Sequence, residues 1–184
     1  MNQPKHVFSK ALRTLGLLAL VLFANLASDL VAAGPKDFTL PSATGGAPFK
    51  LAEAKGRYVA LHFLLKTECP VCLRHTAEYQ RKASSLPNVQ QVFIKPDTEA
   101  EIKAWTANLD AEAIRALPLY RDADATLAKS FGIPGGYQFH GQVVHYPALV
   151  LLGRDGREVF RYVGKNNGDR FSFEKLRAKV EELK

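Results

Sequence analysis

The two cysteines of this chain, Cys69 and Cys72, are separated by two residues and are the only cysteines in its 184 residues. They follow an apolar run at residues 58–65, which is typical of a buried strand, and precede residues 73–80, which are typical of a helix. The pair is therefore predicted at the first turn of a helix, whose partial positive charge favours a thiolate over a thiol. A thiolate attacks disulfides and peroxides, and a second cysteine one turn away displaces the first from a mixed disulfide. The spacing predicts redox chemistry, with Cys69 as the exposed nucleophile and Cys72 as the buried resolving thiol.

Other interpretations of the cysteine pair are a structural disulfide and a metal site. A disulfide between residues three apart closes too small a loop to stabilise the fold much. A metal site would add His75, one turn past Cys72, and either His140 or His145. Closed zinc sites take four ligands, however, and the chain has no second cysteine pair. We therefore expect surface histidines, no metal ion and no cofactor besides the redox-active cysteines.

The charged residues next to the pair act on a thiolate in opposite directions. Glu68, directly before Cys69, opposes formation of a second negative charge. Lys66 and Arg74 favour it for the same electrostatic reason. The local sequence alone thus leaves the size of any shift in the cysteine pKa open.

The composition is that of one globular domain. Hydrophobic residues make up 47% of the chain and charged residues 23%, which is the usual balance for a protein with its own core. The formal net charge is +7. The basic residues are nevertheless scattered, and a nucleic-acid site would need them clustered. We expect no nucleic-acid partner, no internal repeat and no second domain.

Residues 1–33 have the pattern of a secretory signal peptide. A basic stretch without acids ends at Arg13, residues 15–27 are apolar apart from Asn25, and small residues end the segment at Ala33. The apolar run is shorter than the roughly 20 residues of a membrane span, so cleavage is predicted, with an uncleaved N-terminal anchor as the alternative. We expect residues 34–184 to work in the periplasm or on the extracytoplasmic face of the membrane, touching the membrane only through an uncleaved segment.

The rest of the chain predicts an α/β domain. Its elements follow in the order β-α-β-α, then a β-hairpin and a terminal helix, which together form a mixed sheet with helices on both faces. Active groups in such sheets lie beyond the carboxyl ends of the strands, as Cys69 does after residues 58–65. Four further helices are predicted after the cysteine helix. Their predicted N-cap residues are, in chain order, Asp97, Asp110, either Asp122 or Asp124, and Ser172.

Several segments resemble the redoxin group of the thioredoxin fold. That group includes the alkyl hydroperoxide reductase/thiol-specific antioxidant proteins and exported thiol-disulfide reductases. The resemblance runs from about Asp37 to the C-terminus and rests on DFTLP, GRYVALHFL, CPVC, RDADATLAKSFGI and YPALVLLGRDGREVFRYVG. It implies a thioredoxin-like fold, a cis-proline at Pro147 opposite the reactive cysteine, and substrate contacts from Thr67, Tyr146 and Pro147. It also implies that the partners are protein thiols or disulfides, or small peroxides, together with a thiol electron donor.

Two activities of the group compete. In peroxiredoxins a Thr or Ser lies three residues before the reactive cysteine, whereas Thr67 lies only two residues before Cys69. Peroxiredoxins also have an arginine at the position where this chain has Tyr146-Pro147. The C-x-x-C pair fits disulfide exchange better, although Glu68 replaces the aromatic residue usual before the first cysteine. We predict an exported thiol-disulfide oxidoreductase. A peroxiredoxin-like peroxidase is the first alternative, and a copper-binding chaperone is the alternative from another class.

Overall fold

The computed structural model describes residues 35–66, 69–107, 118–139 and 142–184. The predicted signal segment, Thr67, Glu68, His140 and the helix predicted from Asp110 lie outside these residues. Within them the strands are β1 (Thr39–Leu40), β2 (Phe49–Lys50), β3 (Tyr58–Phe63), β4 (Val89–Lys95), β5 (Leu119–Arg121), β6 (Gly135–Phe139), β7 (Gln142–His145), β8 (Ala148–Leu152) and β9 (Glu158–Val163). The α-helices are α1 (Pro70–Lys82), α2 (Glu99–Ala107), α3 (Thr126–Ser130) and α4 (Phe173–Glu182).

A five-stranded sheet with the order β5-β4-β3-β8-β9 forms the centre of the described chain. Strand β3 runs parallel to β4, and β4 runs parallel to β5. Strand β8 is antiparallel to both β3 and β9. The mixed sheet with flanking helices that the sequence predicts is therefore confirmed. Among the described residues, no helix is long and apolar enough to cross a membrane.

Strand β3 is buried along its whole length because its two faces pack into different cores. Val59, Leu61 and Phe63 belong to one core, which also contains Leu127 of α3. Ala60, on the opposite face, belongs to the other core, which contains buried residues of α1, α2 and α4. Side chains alternate across a strand, so an uninterrupted apolar run is what a strand covered on both faces requires. This burial fixes the end of β3, and with it the start of the cysteine loop.

The helix starts partly match the prediction. Ser172 begins α4, accepting a hydrogen bond from the Lys175 N–H. Asp97 is not the cap of α2, so that prediction is wrong. Thr98 takes this place, because its hydroxyl accepts from the Glu101 N–H at 3.3 Å while the Glu101 carboxylate accepts from the Thr98 N–H at 2.8 Å. This reciprocal pair is a capping box, and Asp97 is buried instead.

The hairpin formed by β6 and β7 was not predicted from the sequence, which indicates only a glycine-rich loop in that part of the chain. The two strands pair antiparallel, from Gly135 with His145 to Phe139 with Gln142. Gly136 lies directly against Tyr146, since a Cβ at this position would come within 2.2 Å of the Tyr146 ring. The absence of a side chain at Gly136 therefore lets the Tyr146 ring pack directly against the backbone of β6.

No peptide bond within the described ranges is cis, so the predicted cis-proline at Pro147 is wrong. A trans bond before proline is intrinsically favoured by about 0.5–1 kcal/mol. Here backbone hydrogen bonds hold the chain on both sides of it. The Tyr146 N–H donates to the Pro134 carbonyl at 3.0 Å, and the Gly164 N–H donates to the Pro147 carbonyl at 2.8 Å.

Asp122 provides a test of the fold. Its buried carboxylate accepts hydrogen bonds from the backbone N–H groups of Leu127 at 2.8 Å and Ala128 at 2.9 Å. We expect Asp122→Ala to lower the free energy of unfolding by about 1.5–3 kcal/mol, because two buried donors lose a charged acceptor. Urea denaturation followed by circular dichroism measures the change.

The matched control is Asp155→Ala, because the Asp155 carboxylate accepts a hydrogen bond from the exposed Arg157 N–H. We expect this variant to lose much less stability than Asp122→Ala. Equal losses in the two variants would contradict the capping role of Asp122.

Candidate redox-active site

Cys69 is the N-cap residue of α1. Its Sγ accepts a hydrogen bond from the Cys72 backbone N–H at 3.1 Å, and Pro70 is the first helical residue. Proline suits this position because its missing N–H would have no partner inside the helix. The cysteine pair therefore lies at the first turn of a helix, just beyond the carboxyl end of β3, as the sequence predicts. The positive end of the helix points at the Cys69 sulfur.

The two cysteines differ in exposure. Both are free thiols, but Cys72 is completely buried whereas Cys69 is partly exposed. The Cys72 Sγ accepts a hydrogen bond from the Leu65 N–H at 3.4 Å. A substrate therefore reaches Cys69 first, and Cys72 meets only what is already attached to Cys69.

Arg170 contacts both sulfur atoms, although it is 101 residues from Cys69 in the sequence. Its Nη2 lies 3.4 Å from the Cys69 Sγ and 3.1 Å from the Cys72 Sγ. Its Nη1 donates to the backbone carbonyls of Asn167 and Asp169, which hold the guanidinium in place. Sequence reasoning missed this residue, because nothing in the segment between β9 and α4 marks it as near the cysteines.

The environment of the pair lowers the pKa of Cys69 to about 6. The largest cause is the hydrogen bond from the Cys72 thiol, and the Cys72 N–H, Arg170 and Lys95 act in the same direction while burial opposes them. Burial raises the pKa of Cys72 well above its usual value. At neutral pH the site thus holds a thiolate on Cys69 and a thiol on Cys72. The cations named here are not Lys66 and Arg74, to which the local sequence points.

Lys95 places a buried ammonium behind the cysteine loop. Its Nζ donates to the Leu65 carbonyl at 2.7 Å, lies 3.5 Å from the Asp97 Oδ2, and is 4.5 Å from the centre of the Trp105 ring. Burial lowers the pKa of Lys95, while Asp97 and both cysteines raise it. Because Leu65 also donates its N–H to Cys72, Lys95 supports the backbone that positions the resolving sulfur.

Two buried histidines meet where α1 packs on β3, His75 from the helix and His62 from the strand. The His62 Nδ1 is 3.1 Å from the His75 Nε2, and the His62 Nε2 is 2.8 Å from the Gln91 Oε1. Burial lowers the pKa of His62 to about 4 and that of His75 to about 2, so both are neutral at pH 7. The prediction of surface histidines is wrong for His75 and also for His145, which is buried and bonds the Tyr146 carbonyl through Nδ1.

The copper-chaperone alternative gains no support from these histidines. Ring nitrogens of all three are engaged in hydrogen bonds within the protein. In the part of the chain that the structure describes, no group of three or more His, Cys, Asp or Glu side chains is placed to hold a metal ion.

A cavity of about 240 Å³ opens at Cys69. Its wall combines the cysteine loop, the β6–β7 hairpin and the segment that carries Arg170, and it consists of Leu65, Lys66, Cys69, Pro70, Val71, Tyr137, Asn167 and Gly168. Of the predicted substrate residues that the structure describes, neither Tyr146 nor Pro147 lines this cavity. The Tyr146 ring packs 6.4 Å from the Tyr137 ring, and Pro147 lines a small separate cavity with His75 and Arg170. Their contact with substrate stays a prediction.

Comparison with known proteins places this geometry in a family. Residues 32–158 match the model of the AhpC/TSA family, which is well over half of the 184 residues. The chain belongs to the AhpC/TSA family. Its membership confirms the redoxin resemblance, and this redoxin is a thiol-dependent oxidoreductase with a C-x-x-C pair. No curated protein sequence matches it significantly.

Solved structures similar to this redoxin include proteins named as a thioredoxin, a peroxidoxin and a disulfide oxidoreductase. The exposed lipoprotein thioredoxin Etrx1 of Streptococcus pneumoniae is 21% identical, with a TM-score of 0.62 over 80% of this chain and 99% of that one. Peroxidoxin BcpB of Mycobacterium tuberculosis is 20% identical, with a TM-score of 0.62 over 80% and 94%. A secreted M. tuberculosis disulfide oxidoreductase homologous to E. coli DsbE is 22% identical, with a TM-score of 0.56 over 80% and 97%. At these identities the similarity shows the thioredoxin-like fold alone.

The contact of Arg170 with the sulfurs predicts how the site titrates. In the reduced native protein the rate of alkylation by iodoacetamide should rise through a midpoint near pH 6, where Cys69 loses its proton. Arg170→Met removes a cation that favours the thiolate, so the midpoint should move to higher pH. We expect the rate at pH 6 to fall by roughly threefold or more.

The control for this measurement is Arg177→Met. Arg177 is an exposed residue of α4 that pairs with Glu174, away from the cysteines. Its replacement should leave the midpoint unchanged. An unchanged midpoint in Arg170→Met as well would show that the guanidinium does not act on Cys69.

Proposed function

We propose that this redoxin is an exported thiol-disulfide oxidoreductase in which Cys69 attacks a substrate disulfide and Cys72 resolves the product. The observation that carries the proposal is the placement of both sulfurs against one nitrogen of Arg170, at 3.4 and 3.1 Å, with Cys69 accessible and Cys72 buried. Both sulfurs lie at the start of α1 and contact the same guanidinium nitrogen, so the proposed resolving step joins neighbouring groups.

The reaction proceeds through a mixed disulfide. The Cys69 thiolate attacks one sulfur of the substrate, a Cys69–substrate disulfide forms, and the other half of the substrate leaves as a thiolate that takes up a proton. Cys72 then loses its proton and attacks the Cys69 sulfur. The second half of the substrate leaves as a thiol, and the protein keeps the Cys69–Cys72 disulfide. The substrate has gained two electrons, and a thiol electron donor returns the pair to the reduced state.

Arg170 supports both steps from one position. During the first step it stabilises the thiolate that attacks, because a positive charge next to sulfur favours the ionised form. During the second step the negative charge develops on Cys72, which the same Nη2 contacts at 3.1 Å. The buried cation Lys95 adds to this field from the opposite side of the cysteine loop.

Substrate binding is proposed at the cavity next to Cys69. Tyr137 and Lys66 line this cavity, and Tyr146 packs beside Tyr137. Together with Pro147 and Thr67, Tyr146 is proposed to contact the substrate chain on either side of the disulfide. Protein thiols and disulfides are the proposed partners.

Export of the protein remains part of the proposal. Residues 1–33 have the composition of a signal peptide, leaving residues 34–184 as the redox domain. Two of the similar structures belong to proteins described as an exposed lipoprotein and as secreted. Outside the cytosol thiols tend to be oxidised, which is the setting in which a dedicated dithiol exchanger has disulfide substrates.

Trapping of the mixed disulfide tests the proposal. We expect Cys72→Ser to accumulate a covalent adduct with protein substrates, because the second thiol that releases them is missing. Non-reducing electrophoresis followed by mass spectrometry of the adduct measures it. Cys69→Ser is the control and should form no adduct, since the buried Cys72 cannot reach a substrate. Absence of adducts in Cys72→Ser, or equal adducts in both variants, would contradict the assigned roles.

A peroxiredoxin-like peroxidase is the second candidate, because the Arg170 guanidinium lies beside the partly exposed Cys69 sulfur. A cation at that place could also bind a peroxide oxygen. A protein named a peroxidoxin is among the solved structures that share this fold. In it, Cys69 would become a sulfenic acid, and Cys72 would condense with that acid to release water.

The reaction with hydrogen peroxide separates the two candidates. If disulfide exchange is the function, reduced protein should lose its thiols to hydrogen peroxide at about the rate of an ordinary thiolate with the same pKa. Stopped-flow mixing measures this rate, with Cys69→Ser as the blank. A rate thousands-fold faster would replace disulfide exchange by the peroxidase.

A further inference from the structure

A second cavity, of about 530 Å³, lies next to the Cys69 cavity. We call it the cationic cavity, and its lining residues are Lys66, Pro96, Thr98, Glu101, Arg121, Asp124, Ala125, Lys129, Ile133, Gly135, Val144 and His145. Lys66 lines both cavities. The β6–β7 hairpin also borders both, through Tyr137 on one side and Gly135 and Val144 on the other. A ligand in the cationic cavity is therefore a direct neighbour of the redox site.

The cavity presents more available positive than negative charge. Within the described residues neither Lys66 nor Lys129 forms an ion pair, and Arg121 donates only its Nε, to the Asp97 carbonyl at 3.0 Å. Two carboxylates also line the cavity, those of Glu101 and Asp124, and the Glu101 Oε2 accepts hydrogen bonds from the Thr98 N–H and hydroxyl at 2.8 and 2.7 Å. Three cationic side chains against two carboxylates leave the lining with a net positive charge, and the terminal guanidinium nitrogens and two ammonium groups attract anions.

Part of the cavity wall is held in an unusual backbone conformation. Asp124 and Ala125 both have positive φ angles, of 57° and 53°, although neither is a glycine. Left-handed conformations are unfavourable for residues with a side chain and are concentrated at ligand sites. Here the buried carboxylate of Asp122 fixes the turn by binding the next helix at Leu127 and Ala128. The chain is strained at a place where it forms a cavity wall.

The volume of the cationic cavity and its distance from Cys69 suit a small ligand that reaches the reactive sulfur. A volume near 530 Å³ falls within the usual range of small-molecule sites, about 300–1,000 Å³. Lys66 is three residues before Cys69, so their Cα atoms are at most about 11 Å apart. A molecule of tripeptide size spans that distance with one end on the cations and a sulfur at Cys69.

We propose that the cationic cavity binds the carboxylate end of a low-molecular-weight disulfide whose sulfur is attacked by Cys69. The inference rests on the proposed function and names a substrate class for it. The Cys69 thiolate displaces one half of the disulfide as an anionic thiol and Cys72 displaces the other. One disulfide and the two protein thiols become two small thiols and the Cys69–Cys72 disulfide.

The test compares two disulfides of equal length and different charge. Oxidised glutathione carries free carboxylates, and its tetraethyl ester has the same skeleton with the carboxylates masked. Fully reduced protein is mixed with each disulfide in a single turnover at pH 7, and each rate is divided by that of 2-mercaptoethanol with the same disulfide. We expect the normalised rate to be about tenfold higher for the free acid, since paired charges orient the disulfide.

Matched lysine variants locate the effect. Lys129→Gln removes a cation of the cavity and should reduce the preference for the free acid by about threefold. Arg121→Gln should do the same, and a urea denaturation curve shows whether each variant is folded. Lys55→Gln removes the same charge from an exposed site away from the cavity, and the preference should persist in it.

The outcomes distinguish the two proposals. Equal normalised rates for the acid and the ester, or equal effects of Lys129→Gln and Lys55→Gln, would overturn the role of the cationic cavity and leave disulfide exchange intact. The role of the cavity also fails if neither disulfide reacts while Cys72→Ser still traps protein partners. If neither disulfide reacts and Cys72→Ser traps nothing, the proposed function itself is wrong.

Discussion

The contact of the Arg170 guanidinium with both sulfur atoms is the interaction on which the site depends. One nitrogen lies 3.4 Å from the Cys69 sulfur and 3.1 Å from the Cys72 sulfur. Arg170 can hold that position because neighbouring backbone carbonyls bind its other terminal nitrogen. The segment that carries it is anchored on one side by β9 in the central sheet and on the other by α4, whose Phe173 and Leu176 are buried in the core. Packing of the last third of the domain thus determines the electrostatics of a helix start in its first third.

The surroundings of the pair separate the two sulfurs chemically. A helix N-terminus and two cations favour a thiolate on the accessible Cys69, whereas burial keeps the proton on Cys72. Imidazolium groups contribute nothing at neutral pH, because His62 and His75 are buried and neutral. The result is a thiolate on the accessible sulfur and a thiol on the buried one. The proposed disulfide exchange and the alternative peroxide reduction both require this difference.

The walls of the cavity at Cys69 come from segments that lie far apart in the sequence. The β6–β7 hairpin, with Tyr137, forms one side of the Cys69 cavity, and the segment that carries Arg170 forms another through Asn167 and Gly168. The hairpin continues into the wall of the cationic cavity, so the two cavities meet at Lys66. The proposed low-molecular-weight disulfide would occupy both, with its sulfur at Cys69 and a carboxylate in the cationic cavity.

The sequence by itself determined the chemistry and the central elements. A C-x-x-C pair between an apolar run and an amphipathic run has few other interpretations, and β3, β4, α1, β8, β9 and α4 follow from local hydrophobic patterns that each span one element. The start of α4 at Ser172 was predictable because capping uses neighbouring residues. Neither Asp122 nor Asp124 is the N-cap residue of α3, which begins after Ala125, although the Asp122 carboxylate accepts from two N–H groups of that helix. Only the tertiary structure decided what depends on long-range packing. It brought Arg170 and Lys95 to the sulfurs, buried His75 and His145, and placed Pro147 after a trans peptide bond. No local pattern carries such information, because each of these contacts joins segments that meet only when the sheet has formed.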